Sequence, residues 1–485
     1  MLTIAIDMKS KEPMYEQIYK YIREEIKNGN LPCGTKLPSG RGLATHLEVS
    51  RNTIDMAYGQ LLSEGYIESV PKKGYYVCAL ETLYLEGINI KNTVDSGGEE
   101  ARKTMEKMSG KQNEADMVNT VYAVDFSPNG VDMDYFPYGK WRKLMKECLI
   151  DDNKELFLAG NHQGDEQLRK AVQNYLHQAR GIKCKLSQII IGAGSDYMLL
   201  LLSRIFNRSV AIAMENPAYR QAYTIFKSVG YSITPIEVDD QGIRVNMLEQ
   251  TDAEVVYVTP SHHFPLGTIM SASRKQQLLS WANKKVDRYI IEDDYDSEFR
   301  YFGKPIPALQ SEDPFGKVIY VGTLSKAIAP GIRMSYMVLP EKMIEQYRKV
   351  AGFYFSTVSR IDQNVICQFF VQGHFERHLN RMRKIYKAKH DILLQELKVS
   401  SLPVRIVGES AGLHLLLQFG EVVSDAEEIE KELVEKAGMQ GVKVYALSDY
   451  YIKEIKRRPT ILLGFARLKE QEITEGVKRL IRAWM

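Results

Sequence analysis

A lysine that follows an apolar strand is the first residue in this chain whose setting suits chemistry. In KVIYVGTLSKAIAPGIRMSYMVLP the strand runs into Thr323-Leu324-Ser325-Lys326, with Arg333 seven residues further on. A lone lysine is ordinarily a solvated charge, but one placed after a strand and a Gly-Thr-x-Ser turn suits a Schiff base. A second apolar strand, in RYIIEDDYDSEFRY, ends in Glu292-Asp293-Asp294-Tyr295-Asp296. Carboxylates just past the carboxyl end of a parallel strand sit where α/β folds bind ligands, although a magnesium-type cluster or a solvated acidic turn reads the same way. The third place is QIIIGAGSDYMLLLLS, a strand, then Gly192-Ala193-Gly194-Ser195, then a helix. Glycines admit a phosphate to the backbone, and the helix start supplies free N–H groups and positive dipole; alone, such a turn is a weak signal. The fourth is VVYVTPSHHFPLGTIM, where adjacent His262 and His263 suggest a metal, but no matching carboxylate spacing follows and none is expected.

These places need elements to position them. From residue 121 to 485, short apolar strands alternate with helical segments, which predicts an α/β domain around a mostly parallel sheet. Residues 81–120 are polar, contain GG and SG steps and lack sustained apolar periodicity, so they read as a linker in which EEARKTMEKM suits a solvated helix. No repeat with a period of 20–50 residues is visible.

Residues 1–80 have a different texture. PMYEQIYKYIREEIKNG predicts a helix with Met14, Ile18, Ile22 and Ile26 in one row, and GRGLATHLEV predicts a second that ends at Val49-Ser50. Ser50 then caps a third helix carrying the stripe Ile54, Ala57, Tyr58, Leu61 and Leu62. Two short helices joined by a tight turn predict a helix-turn-helix, and GYIESVPKKGYYV predicts a hairpin wing after it. The residues opening the third helix, Arg51, Asn52, Thr53 and Asp55, would enter a major groove, and Lys72 and Lys73 at the wing tip would meet the backbone or minor groove. Ten Lys+Arg against nine Asp+Glu in this segment do not advertise nucleic acid, and a protein-interaction module is the other reading.

Over all 485 residues, 64 Lys+Arg against 61 Asp+Glu give a net charge of +3, which excludes a globally basic scaffold and confines any nucleic-acid contact to a local patch. The length exceeds one ordinary core, so several domains are expected. No apolar run is long enough to span a bilayer, and MLTIAIDMKS lacks the pattern of a secretory leader. Five dispersed cysteines, never in a CxxC pair, suggest neither disulfides nor zinc. A cytoplasmic protein is the expectation.

The run LPSGRGLATHLEVSRNTIDMAYGQLLSEGYIESVPKKGYYV resembles the DNA-binding domain of the GntR family of bacterial repressors in its Pro-Ser-x-Arg-x-Leu-Ala entry, Val-Ser-Arg-x-Thr turn, Ala-Tyr-x-x-Leu helix and Glu-Gly-Tyr step. That resemblance implies that Ser39, Arg41, Arg51, Asn52, Thr53, Lys73 and Gly74 face double-stranded operator DNA, with Ser39 and Arg41 on phosphates. The four places in 121–485 together resemble the fold-type-I, aminotransferase-like enzymes that use pyridoxal 5'-phosphate (PLP), in which a phosphate turn, a carboxylate and a lysine follow in this order. By that resemblance Lys326 would form a Schiff base with PLP, Asp293 would keep its pyridine nitrogen protonated, and Tyr295 would hydrogen-bond its phenolic oxygen. Gly194, Ser195, Asp196, Thr323 and Arg333 would surround the phosphate, and Tyr219 would stack on the ring.

Joined in one chain, the two halves resemble the MocR subgroup of GntR regulators, with a winged helix fused to an aminotransferase-like domain. Three positions depart from the enzyme pattern: Phe264 stands where an asparagine is usual, Ala159 where a tyrosine is, and Leu462 where an arginine grips a substrate carboxylate. Arg220 and Arg467 are the remaining candidates for an effector carboxylate. The resemblance implies a regulator that senses an amino-compound or PLP and works as a homodimer, head-to-tail, on paired half-sites. A working aminotransferase with an accessory winged helix, or a repressor with an inert large domain, are the alternatives.

Overall fold

The computed structural model describes residues 4, 12–70, 73–79, 122–150, 154–301, 306–409 and 411–485; the expected linker at 81–120 and Lys72 at the wing tip lie outside them. Helix α1 (Met14–Lys27) buries Ile18, Ile22 and Ile26, the row its four-residue spacing aligns. Helix α2 (Gly40–His46) is capped by Ser39, whose hydroxyl accepts from Gly42 N–H at 3.1 Å. It ends short of the expected Val49, because Glu48 takes a φ of 55°, a left-handed conformation that stops a right-handed helix. Helix α3 (Arg51–Ser63) starts at Ser50, which accepts from Thr53 N–H at 3.1 Å, and buries Ile54, Ala57, Tyr58 and Leu61 against α1 and α2. Strands β1 (Ile67–Val70) and β2 (Gly74–Val77) pair antiparallel with Val70 opposite Gly74, which makes the wing.

The large domain is built on strands β3 (Ile189–Gly192), β4 (Ile212–Asn216), β5 (Ile233–Asp239), β6 (Gly242–Ile243), β7 (Val255–Val258), β8 (Tyr289–Asp294), β9 (Val318–Thr323) and β10 (Ser335–Val338). They lie in the order β3-β10-β9-β8-β7-β4-β5-β6. The central run from β9 to β5 is parallel, while β10 is antiparallel to both β9 and β3. Every residue of β3, β4, β7, β9 and β10 is buried, because helices cover both faces, and this is why these strands read as unbroken apolar runs. Register sets Val321 beside Asp293 and Val258 beside Glu292, so the residues that follow β7, β8 and β9 gather along one edge.

A four-stranded antiparallel sheet (Val404–Val407, His414–Phe419, Thr460–Gly464, Tyr445–Ala446) closes the C-terminal end. Leu462, at the position of the missing arginine, is fully buried there opposite Leu416. The winged helix sits on the large domain through a small seat. Ala272 N–H donates to Glu64 O at 2.7 Å, Ala272 joins the winged helix's apolar core, and a Cβ on Gly65 would lie 2.8 Å from Ser271 Cβ.

Candidate functional site

The edge formed by the ends of β7, β8 and β9 opens into a cavity of about 220 Å³. Lys326 enters it one turn beyond β9. Its Nζ donates to Pro128 O at 3.3 Å and lies 4.9 Å from the centre of the Tyr295 ring. Burial holds the amine below the ordinary lysine range, and Asp296 and Asp293 partly oppose that. A lowered pKa raises the share of neutral, nucleophilic amine at a given pH.

Asp293, at the end of β8, is wholly enclosed and accepts a short hydrogen bond from Tyr257 O–H. Burial pushes its carboxyl up to about 7, against the lowering effect of that bond. A cation brought opposite it would be strongly held, since among the described residues no ion pair engages the carboxylate.

The opposite end of the cavity suits an anion. Gly194 has φ 90°, and a Cβ there would lie 2.5 Å from Arg333 Nη2, so only glycine lets the guanidinium close over the start of helix α4 (Ser195–Ile205). Arg333, itself left-handed at φ 46°, pairs with Asp196 at 3.0 Å. Thr323 Oγ1 donates to Ser325 Oγ at 3.1 Å beside them. Tyr219 precedes helix α5 (Arg220–Val229) and meets Phe264 edge-on at 5.9 Å.

Thus Ser195, Asp196, Tyr219, Asp293, Tyr295, Thr323, Lys326 and Arg333, spread over 139 positions of sequence, line one cavity, and Gly194 shapes its wall. Arg220 and Arg467 do not line it: Arg220 donates to Tyr451 O at 3.1 Å, and Arg467 packs on Gly130. Asn129 and Thr259 also line the cavity and went unnoticed in the sequence; neither belongs to a chemical pattern, and only chain folding brings Asn129 to Lys326.

The two histidines take no metal-like arrangement. His262, 3% exposed, places Nδ1 3.0 Å from both Asp296 oxygens and 2.8 Å from Tyr295 Oη. His263 lies 3.5 Å from Glu215, and burial takes it down to about 3. Among the described residues no cluster of three or more His, Cys, Asp or Glu side chains is arranged to hold a metal.

On the winged helix, Arg51, Asn52 and Arg41 are exposed, as are Ser39 and Lys73, while Thr53 is half-buried with its hydroxyl 2.8 Å from Ser50 Oγ. Gly74 opens β2 with φ 110°. The flank of α3 bearing Asn52, Asp55 and Met56 faces Gly267, Ile269 and Arg300 of the large domain across a cavity of about 700 Å³.

PLP fits these residues. The glycine-walled anion end suits its phosphate, the enclosed Asp293 suits a pyridinium, and the desolvated Lys326 suits its aldehyde. When bound, the group supplies an electron sink for an attached amine.

Residues 14–77 match the family of bacterial regulatory proteins, gntR family, and residues 125–480 match aminotransferase class I and II. The chain is 39% identical to the HTH-type transcriptional regulator YdeL of Bacillus subtilis, over 97% of each chain. It is 29% identical to the probable rhizopine catabolism regulatory protein MocR of Rhizobium meliloti, over 99% of this chain and 96% of that one. A kynurenine aminotransferase structure from Pyrococcus horikoshii superposes with a TM-score of 0.65 at 26% identity, covering 74% of this chain and 90% of that one. With a gntR winged helix ahead of an aminotransferase class I and II domain, the chain belongs to the MocR subgroup of the GntR family of bacterial transcriptional regulators.

Proposed function

We propose that this chain is a PLP-dependent transcriptional regulator, in which an amino-compound or PLP itself, held at Lys326, changes how the winged helix engages operator DNA. The observation that carries the reading is a single stretch of chain. Thr259 and Phe264 line the cavity, and the same backbone continues through Ser271 to Ala272, whose N–H donates to Glu64 O of the winged helix. A ligand that displaces Phe264 therefore pulls on the seat of the DNA reader eight residues away, and such differential contact is what coupling between sites requires. In this reading Asp293 holds the pyridine nitrogen, Tyr295 the phenolic oxygen and Tyr219 the ring face. Gly194, Ser195, Asp196, Thr323 and Arg333 hold the phosphate. Arg41, Arg51, Asn52 and Lys73 meet DNA.

The working unit is a homodimer, head-to-tail, in the cytoplasm. Its support is a run of exposed aromatics, Phe353 and Phe355, that leads into Thr357, whose hydroxyl accepts from Ala193 N–H of the phosphate turn at 2.9 Å. Among the described residues no helix is long and apolar enough to cross a membrane.

The test is operator binding by the full-length protein, measured with and without PLP and with added amines. The wild type changes its affinity or footprint, and Lys326→Ala does not respond. An identical footprint under all conditions in both proteins overturns the proposal. Sustained turnover of an amino donor with a keto-acid acceptor would instead make the chain an aminotransferase. A monomer by analytical ultracentrifugation at micromolar concentration with PLP bound would remove the dimer.

A further inference from the structure

At the cavity wall a half-buried tyrosine is backed by two buried side chains in a row, Tyr295, His262 and Asp296. Tyr295 Oη lies 2.8 Å from His262 Nδ1, and that nitrogen lies 3.0 Å from Asp296 Oδ1 and from Oδ2. His262 is 3% exposed and Asp296 1%. The ring is fixed from below by Gly412, at φ 82°, where a Cβ would come within 2.0 Å of His262 Cε1. In front, Phe264 lies 5.6 Å from the Tyr295 ring and brings no hydrogen-bonding atom.

The tautomer of His262 follows from its neighbours. A bare Nδ1 would turn its lone pair onto two carboxylate oxygens at hydrogen-bond distance, so the proton sits on Nδ1. That N–H is shared between Asp296 and the Tyr295 oxygen. A phenol has one proton and accepts at its lone pairs; with a lone pair taken from behind by the imidazole N–H, its O–H is free to turn from the neighbouring Asp296 toward an acceptor held in the cavity. We propose that His262 and Asp296 are positioning residues that aim the Tyr295 proton at the cofactor, and thereby set how readily the imine on Lys326 gives up its own proton. The inference rests on the PLP reading above.

The direction of the effect follows from elementary electrostatics. A hydrogen bond donated to the phenolic oxygen of the PLP ring draws electron density from it, and the neighbouring imine nitrogen holds its proton less tightly. With Phe264 silent, Tyr295 supplies that bond from this side of the cavity. The other charged and titratable groups around Tyr295 are Lys326 in front, Asp293 and Asp294 along the strand end, and His414, whose ring lies 5.7 Å from that of His262. None of these lies between His262 and the Tyr295 hydroxyl.

The experiment is a pH titration of the imine absorbance in the full-length, PLP-loaded protein, with folding checked by circular dichroism. Tyr295→Phe raises the midpoint and sets the limit. His262→Leu raises it by about one pH unit, a tenfold gain in proton affinity. Asp296→Asn moves it the same way, and His262→Asn, which keeps an N–H near the Nδ1 position, brings it back toward the wild type. A His262→Leu midpoint equal to the wild type overturns the inference if Tyr295→Phe is shifted, and so does an unshifted Tyr295→Phe. Absence of any imine absorbance in the wild-type protein instead sinks the cofactor reading, and this inference falls with it.

Discussion

At the start of α3, Arg51 and Asp55 meet at 3.4 Å with side chains 73% and 48% exposed; under the cofactor cavity, Arg180 and Asp294 meet at 2.7 Å with side chains 2% exposed each. The same chemical pair does two different jobs. In water the first is screened and contributes little, so Arg51 is held loosely and stays available to a base or a phosphate. The second has lost its hydration and is committed: Arg180 also donates to Ile306 O and to Ser261 Oγ, and Tyr320 O–H donates to Asp294 at 2.5 Å. One region keeps its charges uncommitted for a partner. The other buries its charges against each other beside the strand end that carries Asp293. Substitutions on the first should change binding without stability, and on the second stability before binding.

The largest effect is all-or-none. Lys326→Ala should abolish the borohydride-reducible PLP adduct while the circular dichroism spectrum stays native; a retained adduct would break the assignment of the pocket. Next, Arg180→Ala leaves Asp294 buried without its cation and should cost about 3–5 kcal/mol in denaturant unfolding, whereas Arg51→Ala should cost no stability. Glu215 sharpens the contrast from the buried side. Burial pushes it up to about 8, although Thr259 N–H and O–H both donate to it, so folded protein binds its proton more tightly than unfolded protein does. Stability should therefore fall as pH rises from the ordinary carboxylate range to about 8, by about 1.4 kcal/mol per unit, and Glu215→Gln should flatten that stretch of the curve. On the exposed side, Arg51→Ala should cost about 1–3 kcal/mol of operator discrimination. Smallest of all, Lys73→Ala should lower affinity evenly across sequences and reduce the salt slope by about one.

The winged helix was legible because its information is local. Ser50 caps the helix it precedes, and Ile54, Ala57, Tyr58 and Leu61 repeat with the helical period, so neighbours in sequence decide the structure. The second helix, expected to reach Val49, stops at His46 on the φ of Glu48, which no residue pattern announces. The pocket was legible where a strand end or the turn after it carries a recognisable pattern, as at Asp293, Thr323 and Lys326 or at the glycine turn before Ser195. Asn129 comes to Lys326 from nearly 200 positions away, and its Ser-Pro-Asn-Gly turn carries no periodicity that points there. His262 was given no role from the sequence, where a metal at the His262-His263 pair was considered and set aside; in space its partners are Asp296 and Tyr295. Arg220 and Arg467 were named for their charge, and charge says nothing of which way a side chain faces.

Gly194 and Gly412 carry a consequence for how this protein tolerates change. Neither has a side chain that could bind or react, yet Arg333 closes over one within 2.5 Å and His262 over the other within 2.0 Å of any added carbon. In a library of all single substitutions, both positions should be as intolerant as Lys326, and neighbouring polar surface positions should accept most residues. Drift would then preserve two blanks in the sequence as faithfully as its reactive lysine, and the pocket's history would be recorded partly in places where there is no side chain at all.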